Sequence, residues 1–213
     1  MVEIVIAPSP ELPSNVLSDA DIAVGTAGLG HWINQVIAPS YSQGPYRVSA
    51  AGRGQPVPLG TDHRWIVALH ANSDVPGAAG YHTADNGCPA AKIFVADLLA
   101  AGMSWTAVAS HEIAELMVNR FVNEAVLGPA GFYWKESCDP VEAFGGTFAG
   151  IRVSDFVLPH YWLQGSAGPY SHFSHAPAPL TPGIQGRQEV YQISGATQIS
   201  GAHISSITPP PLS

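Results

Sequence analysis

Apolar and polar positions along the chain change period several times, which predicts short strands and modest helices in succession, with no repeat of solenoid length. Residues 3–7 read as a first strand, ended by Pro8 and Pro10. Ser18 or Asp19 can cap a helix running to about Ile37, with Ile22, Ala23, Leu29, Ile33, Val36 and Ile37 on its apolar face. Gly25, Gly28 and Gly30 weaken that helix. Residues 46–50 form a short strand, residues 52–60 a Gly/Pro-rich loop, and Trp65-Ile66-Val67-Ala68-Leu69 a run suited to a sheet interior. After a second glycine-rich connection, Lys92-Ile93-Phe94-Val95 is the next strand. Ser104 then caps the strongest helix, with Ala109, Ile113, Leu116 and Met117 at helical spacing. Beyond Phe121 the pattern becomes irregular: a helical turn starts at Pro140, residues 151–158 alternate as a strand, and residues 190–193 and 199–204 suggest a terminal hairpin. The proline-rich residues 208–213 form an extended arm.

Composition narrows this picture. Of 213 residues, 46% are hydrophobic and 11% charged, so one sizeable core can form, and 22 glycines and 19 prolines predict long ordered loops. The expected organisation is a single domain, with a sheet and helix lobe over residues 1–122, a C-terminal lobe over 123–207 and the tail. A net charge of -8 with scattered basic residues excludes phosphate-backbone binding, so no nucleic-acid partner is expected. No apolar run is long enough to span a bilayer, so no membrane partner is expected either. Glu3 stands where a signal peptide would be cationic and Pro8 ends the apolar run, so no cleavable secretory signal is expected and the location is cytoplasmic or in a virion. Cys88 and Cys138 allow one bridge at most; two free, largely buried thiols in a reducing compartment are the preferred reading.

The chemistry centres on Ser110-His111-Glu112-Ile113-Ala114-Glu115-Leu116. Residues four apart on an α-helix share a stripe, so an imidazole at 111 and a carboxylate at 115 can reach one cation. Glu112 lies about 100° round the helix from His111, where a base could take a proton from water beside the ion. The familiar form of this motif is H-E-x-x-H; here glutamate replaces the second histidine. The polar trio interrupts an otherwise apolar helix, and burying it is costly without a cation. A second block, Glu136-Ser137-Cys138-Asp139-Pro140-Val141-Glu142, offers Asp139 or Glu142 as a third ligand, Asp139 being narrowly preferred; Asp before Pro is also an ordinary N-cap. His160 and Tyr161 follow a predicted strand, and either could stabilise an oxyanion opposite the ion. The plainer roles are a surface pair for these two, a loop cluster for Tyr170, His172 and His175, and ordinary sheet or loop histidines for His70 and His82.

Taken in order, Gly80-Tyr81-His82-Thr83, Lys92-Ile93-Phe94-Val95, the His111–Glu115 helix, Cys138-Asp139-Pro140-Val141-Glu142 and Val153-Ser154-Asp155-Phe156-Val157-Leu158-Pro159 resemble a family of uncharacterised zincin-like proteins of phages and bacteria. The resemblance covers roughly residues 60 to 160, with Asp155 where the family pattern has asparagine. It implies an α+β, zincin-like fold: a small mixed sheet, packed helices with a metal-binding active-site helix, and a loop-rich C-terminal lobe. It also implies one divalent ion, zinc foremost, and an extended peptide added to Lys92-Ile93-Phe94-Val95 as the edge strand. The carboxylate at 115 makes the site more anionic and favours harder cations.

Two functional expectations follow. The first is a metal-dependent hydrolase, a peptidase with Glu112 as base. The alternative is a non-enzymatic structural or virion-associated protein that keeps the fold and the ion and assembles with other virion subunits or its own copies.

Overall fold

The structure, a computed structural model, describes residues 1–128 and 131–180, together with the strand backbone of Val190–Tyr191 and Ser205–Ser206. The fold is α+β. Strands β1 (Val2–Pro8), β2 (Tyr46–Ala50), β3 (Arg64–His70), β4 (Ala78–Asp85) and β5 (Cys88–Phe94) form one mixed sheet in the order β4-β5-β3-β1-β2. Four of these strands are parallel and β4 runs antiparallel to β5. Ser205–Ser206 pairs antiparallel with the outer edge of β4.

The apolar runs in β1 and β3 arise because the sheet is covered on both faces. Ile4, Ile6, Trp65, Val67 and Leu69 belong to the large core on the helical side, while Val5, Ala7, Ile66 and Ala68 form a smaller cluster with Ala51 and Val57. The loop expected at residues 52–60 thus supplies part of the cover for the second face.

Helix α1 (Asp19–Trp32) starts with a capping box in which Ser18 and Asp21 satisfy each other's backbone and side-chain groups. It continues through a π-helical turn (Ile33–Ile37) into α2 (Ala38–Ser40). Its glycines are contact points. A Cβ on Gly25 would lie 2.2 Å from Trp105 and one on Gly28 would lie 2.8 Å from Ile151. The residues that lower helix propensity therefore allow α1 to approach the later helix that starts at Trp105, and a later strand, closely.

A short helix, α3 (Val95–Ala100), leads from β5 to α4 (Trp105–Asn119). Ser104 occupies the N-cap position of α4, but its hydroxyl meets Thr106 instead of a backbone N–H. Helix α4 packs against β4 and β5 on one side and against β9 (Ile151–Ser154), the partner of β8 (Gly145–Phe148), on the other. Every residue from Val108 to Met117 is buried. Ser110 accepts a hydrogen bond from the Ser154 N–H at 2.8 Å, and the Thr106 hydroxyl donates to the Arg152 carbonyl at 2.8 Å. These contacts fix the rotation of α4 about its axis, which sets where its polar residues point.

The C-terminal part carries the hairpin β6 (Ala125–Gly128) and β7 (Gly131–Trp134), 3₁₀ turns at Asp139–Val141 and Pro159–Trp162, and a second apolar cluster around Tyr133, Val157 and Tyr161.

Several expectations are corrected. Of Lys92-Ile93-Phe94-Val95, the first three lie in β5 inside the sheet, between β3 and β4, with no free edge for a peptide, and Val95 is the first residue of α3. Outside β5 lies β4, with the two-residue pairing of Ser205–Ser206 on its far edge, and its hairpin with β5 turns on Asn86 and Gly87, both at positive φ. The strand expected over residues 151–158 ends at Ser154, because Asp155 turns its carboxylate back to the Phe156 N–H. Of the expected terminal hairpin, Val190–Tyr191 pairs with β7; residues 192–193 and 199–204, like the tail, lie outside the described residues. Both cysteines are free, Cys138 buried and Cys88 half-buried. No helix among the described residues is long and apolar enough to cross a membrane.

Candidate metal centre

Side chains at alternate positions of a strand share a face, so Gly80 and His82 of β4 both look towards α4. Gly80 permits the approach: a Cβ there would lie 2.9 Å from Val108 and 3.2 Å from Glu112 Oε1. The strand backbone is thereby pressed against the base candidate, and His82 reaches the same helix one step further along.

Around α4 two histidines and four carboxylates are gathered: His82, His111, Glu112, Glu115, Glu136 and Asp139, each no more than 4% exposed. His111 Nε2 lies 3.3 Å from Glu115 Oε1 and 3.4 Å from Asp139 Oδ1. His82 Nδ1 lies 3.3 Å from Glu115 Oε2 and 3.4 Å from Glu112 Oε2, and His82 Nε2 lies 3.3 Å from Glu136 Oε2. In two trios, His111–Glu112–Glu115 and His82–Glu115–Glu136, the ligand atoms all fall within 4.8 Å of one another.

These separations are informative. A charge-assisted N–H···O bond closes to about 2.7–2.9 Å. Two donors bound to one tetrahedral ion at about 2.0–2.2 Å stand about 3.3–3.5 Å apart. The His111 contacts and the His82 Nε2–Glu136 contact, at 3.3–3.4 Å, match the second spacing.

The backbone and a neighbouring side chain hold Glu115 and Glu136 each from one side. Cys138 N–H donates to Glu115 Oε1 at 3.2 Å, and Asn119 donates to Glu136 Oε1 at 3.1 Å. Asn119 is itself fixed by the N–H groups of Asn123 and Glu124. The other oxygens, Glu115 Oε2 and Glu136 Oε2, have no hydrogen-bond partner, and neither has His82 Nε2. Three buried polar atoms left in this way cost several kcal/mol unless a cation takes them. The donor set therefore fits a divalent ion bound through nitrogen and oxygen.

The electrostatics point the same way. Burial opposes a charge on His82, but Glu136, Glu112 and Glu115 hold its pKa well above that of a free imidazole. Burial likewise opposes a charge on His111, and Glu115, Cys138 and Asp139 raise its pKa. Burial pushes the Glu115 carboxyl upward, but His111 and His82 more than reverse that and hold it well below its ordinary value. Glu136 is raised by burial, against His82 and with Glu115 and Asp139. The cluster calls for positive charge at its centre. Cys138 is pushed up by burial and donates its thiol to the His111 carbonyl, which keeps it out of the ligand set.

The structure thus brings His111, Glu112, Glu115 and Asp139 together. Asp139 and Glu142 both lie outside the two trios, but Asp139 is buried and 3.4 Å from His111 Nε2, whereas Glu142, at the end of the 3₁₀ turn, is only half-buried. His160 is turned to the Pro169 carbonyl and the Tyr170 ring, while Tyr161 is fully buried in the second apolar cluster. His172 stacks on Phe156, His175 pairs with Asp155, and His70 pairs with Glu11. His82 departs from its expected role as an ordinary histidine: it is wholly buried among three carboxylates. Glu136 was also not singled out, although it precedes Asp139 by three residues; the Asn86-Gly87 hairpin signal was the clue that β4 existed to carry His82. Comparisons with family models, with curated proteins and with solved structures find no match to this chain.

Proposed function

We propose that the protein is a zincin-like, divalent-metal-binding hydrolase, a peptidase, with His111, Glu115 and Asp139 as ligands and Glu112 as the base. The observation that carries the reading is a set of buried ligand atoms spaced for an ion, with His111 Nε2 3.3 Å from Glu115 Oε1 and 3.4 Å from Asp139 Oδ1. Zinc is the first candidate, with harder cations favoured more than at a two-histidine site. The fold supports the reading through its mixed sheet, an antiparallel outer strand and a buried helix beneath that strand.

A divalent ion at this position would polarise a carbonyl and make a coordinated water more acidic. Glu112 is the residue that would accept a proton from water at the site and return it to the departing amine. His82 Nδ1, 3.4 Å from Glu112 Oε2, orients the carboxylate. Gly80 keeps the β4 backbone close, so an extended peptide added to the outer edge of β4 would lie beside Glu112. Ser205–Ser206, paired antiparallel opposite Gly80 and Ala78, illustrates that this edge accepts an extended segment.

The second reading is an ion that only holds the fold. It draws on the burial of all six polar side chains, since catalytic sites keep one position open to water. The two readings part on Glu112→Gln. The hydrolase reading expects metal content unchanged and cleavage of a peptide library reduced about 10²- to 10⁴-fold; equal cleavage profiles for variant and wild type would overturn it. For the ligands, Asp139→Ala should lose metal while Glu142→Ala keeps it, and the reverse would move the third ligand to Glu142.

A further inference from the structure

We infer that the centre holds two divalent ions bridged by Glu115, the second bound by His82, Glu115 and Glu136. This rests on the metal-binding reading above and adds a site to it.

The geometry of Glu115 is the starting point. Its Oε1 faces His111 Nε2 at 3.3 Å and its Oε2 faces His82 Nδ1 at 3.3 Å, so the two oxygens address two different imidazoles. A carboxylate used in this way spans two ions about 3.5–4 Å apart. On one side lies the trio around His111, and on the other the trio of His82, Glu115 and Glu136.

The second trio contains all three of the partnerless atoms already described, His82 Nε2, Glu115 Oε2 and Glu136 Oε2. An ion confined to the His111 side would leave His82 Nε2 and Glu136 Oε2 as they are, 3.3 Å apart and without a hydrogen bond. Glu136 is held for the purpose from outside: Asn119 takes Oε1 and leaves Oε2 directed at His82. His82 shows the second-layer contact usual for a metal-bound imidazole. Its Nδ1 meets the Glu112 carboxylate while Nε2 is left for the ion.

Charge balance favours two ions over one. Coordination requires neutral imidazoles, so the four buried carboxylates set the charge of the cluster. A single divalent ion leaves two of those negative charges uncompensated in a site that is at most 4% exposed at any residue. Two divalent ions balance them. The donor set, imidazole and carboxylate without thiolate, suits zinc, manganese(II) and iron(II).

The test uses the full chain, stripped with chelator and titrated with manganese(II) or cobalt(II). The inference expects about two equivalents bound per chain and, with manganese, the exchange-coupled electron paramagnetic resonance signal of a bridged pair. Glu136→Gln and His82→Gln should each bind about one equivalent and lose the coupling, with circular dichroism confirming the fold. One equivalent in the wild type overturns the second site and leaves the metal-binding reading standing. No binding overturns both. Two equivalents without coupling, unchanged by Glu136→Gln, place the second ion elsewhere and overturn this assignment. If neither variant folds, the wild-type stoichiometry and coupling decide alone.

Discussion

Among the described residues, histidine–carboxylate contacts with a fully buried carboxylate occur in two places, and the two are built to different standards. At Asp155 every carboxylate oxygen is used. Oδ1 accepts the N–H groups of Phe156 at 2.8 Å and Phe173 at 2.9 Å, and Oδ2 meets His175 Nδ1 at 2.8 Å. The His175 ring stacks on Phe144 and is one-third exposed, so water reaches one side of the pair. Around Glu115 the contacts open to 3.3–3.4 Å, the groups are wholly enclosed, and three ligand atoms have no hydrogen bond. Asp155 is satisfied by N–H donors on both oxygens, whereas the donor atoms around Glu115 are spaced so that they could hold a metal ion. Residue type alone does not distinguish the two clusters. Spacing and satisfaction do.

The sharpest way to break the comparison is to remove one carboxylate charge from each cluster. Glu115→Gln keeps the shape but takes the bridging charge from a buried set, and should cost about 3–5 kcal/mol together with loss of bound metal. Chemical denaturation and elemental analysis of the same preparations check both parts. Chelation comes next. A chelator that strips an ion present at about 100 times its Kd removes about 2.7 kcal/mol of stability. For a chain of this size that lowers Tm by roughly 5–11 °C in calorimetry. The shift should disappear in Glu115→Gln and persist in an Asp155 variant.

How much of this was legible in the sequence depended on how each element advertises itself. The α4 motif was readable because His111, Glu112 and Glu115 interrupt an apolar helix at fixed spacing, and β1, β3 and β5 were readable as apolar runs. Strand β4 was not, because Ala78, Ala79 and Gly80 give it little strand propensity and His82 alone stands out on its inner face. Missing β4 made β5 look like the edge and left His82 without a role. The order of strands is a property of tertiary packing, and no local pattern encodes it. Glu136 was obscure for a related reason: it lies outside any helix or strand, and its partner Asn119 is 17 residues away. Gly25 was legible as a weakness and not as a contact, since only the folded chain brings Trp105 against it.

Two smaller effects sharpen the contrast. Gly25→Ala should cost about 1–3 kcal/mol by forcing Trp105 aside, with metal content unchanged, because the strain falls at the start of α4. Asp155→Asn should cost about 1 kcal/mol, since the N–H acceptor at Oδ1 survives and only the charged partner of His175 is lost. A loss of metal in Asp155→Asn, measured by elemental analysis, would mean that the two clusters are coupled.

X-ray absorption at the edge of the bound metal tests the central claim most directly. The account predicts a first shell of nitrogen and oxygen donors at about 2.0–2.2 Å with imidazole backscattering, reduced when His111 is replaced. A sulfur shell at about 2.3 Å would assign the ion to Cys138, and a chain that retains no metal after reconstitution would have no metal centre; either result contradicts it.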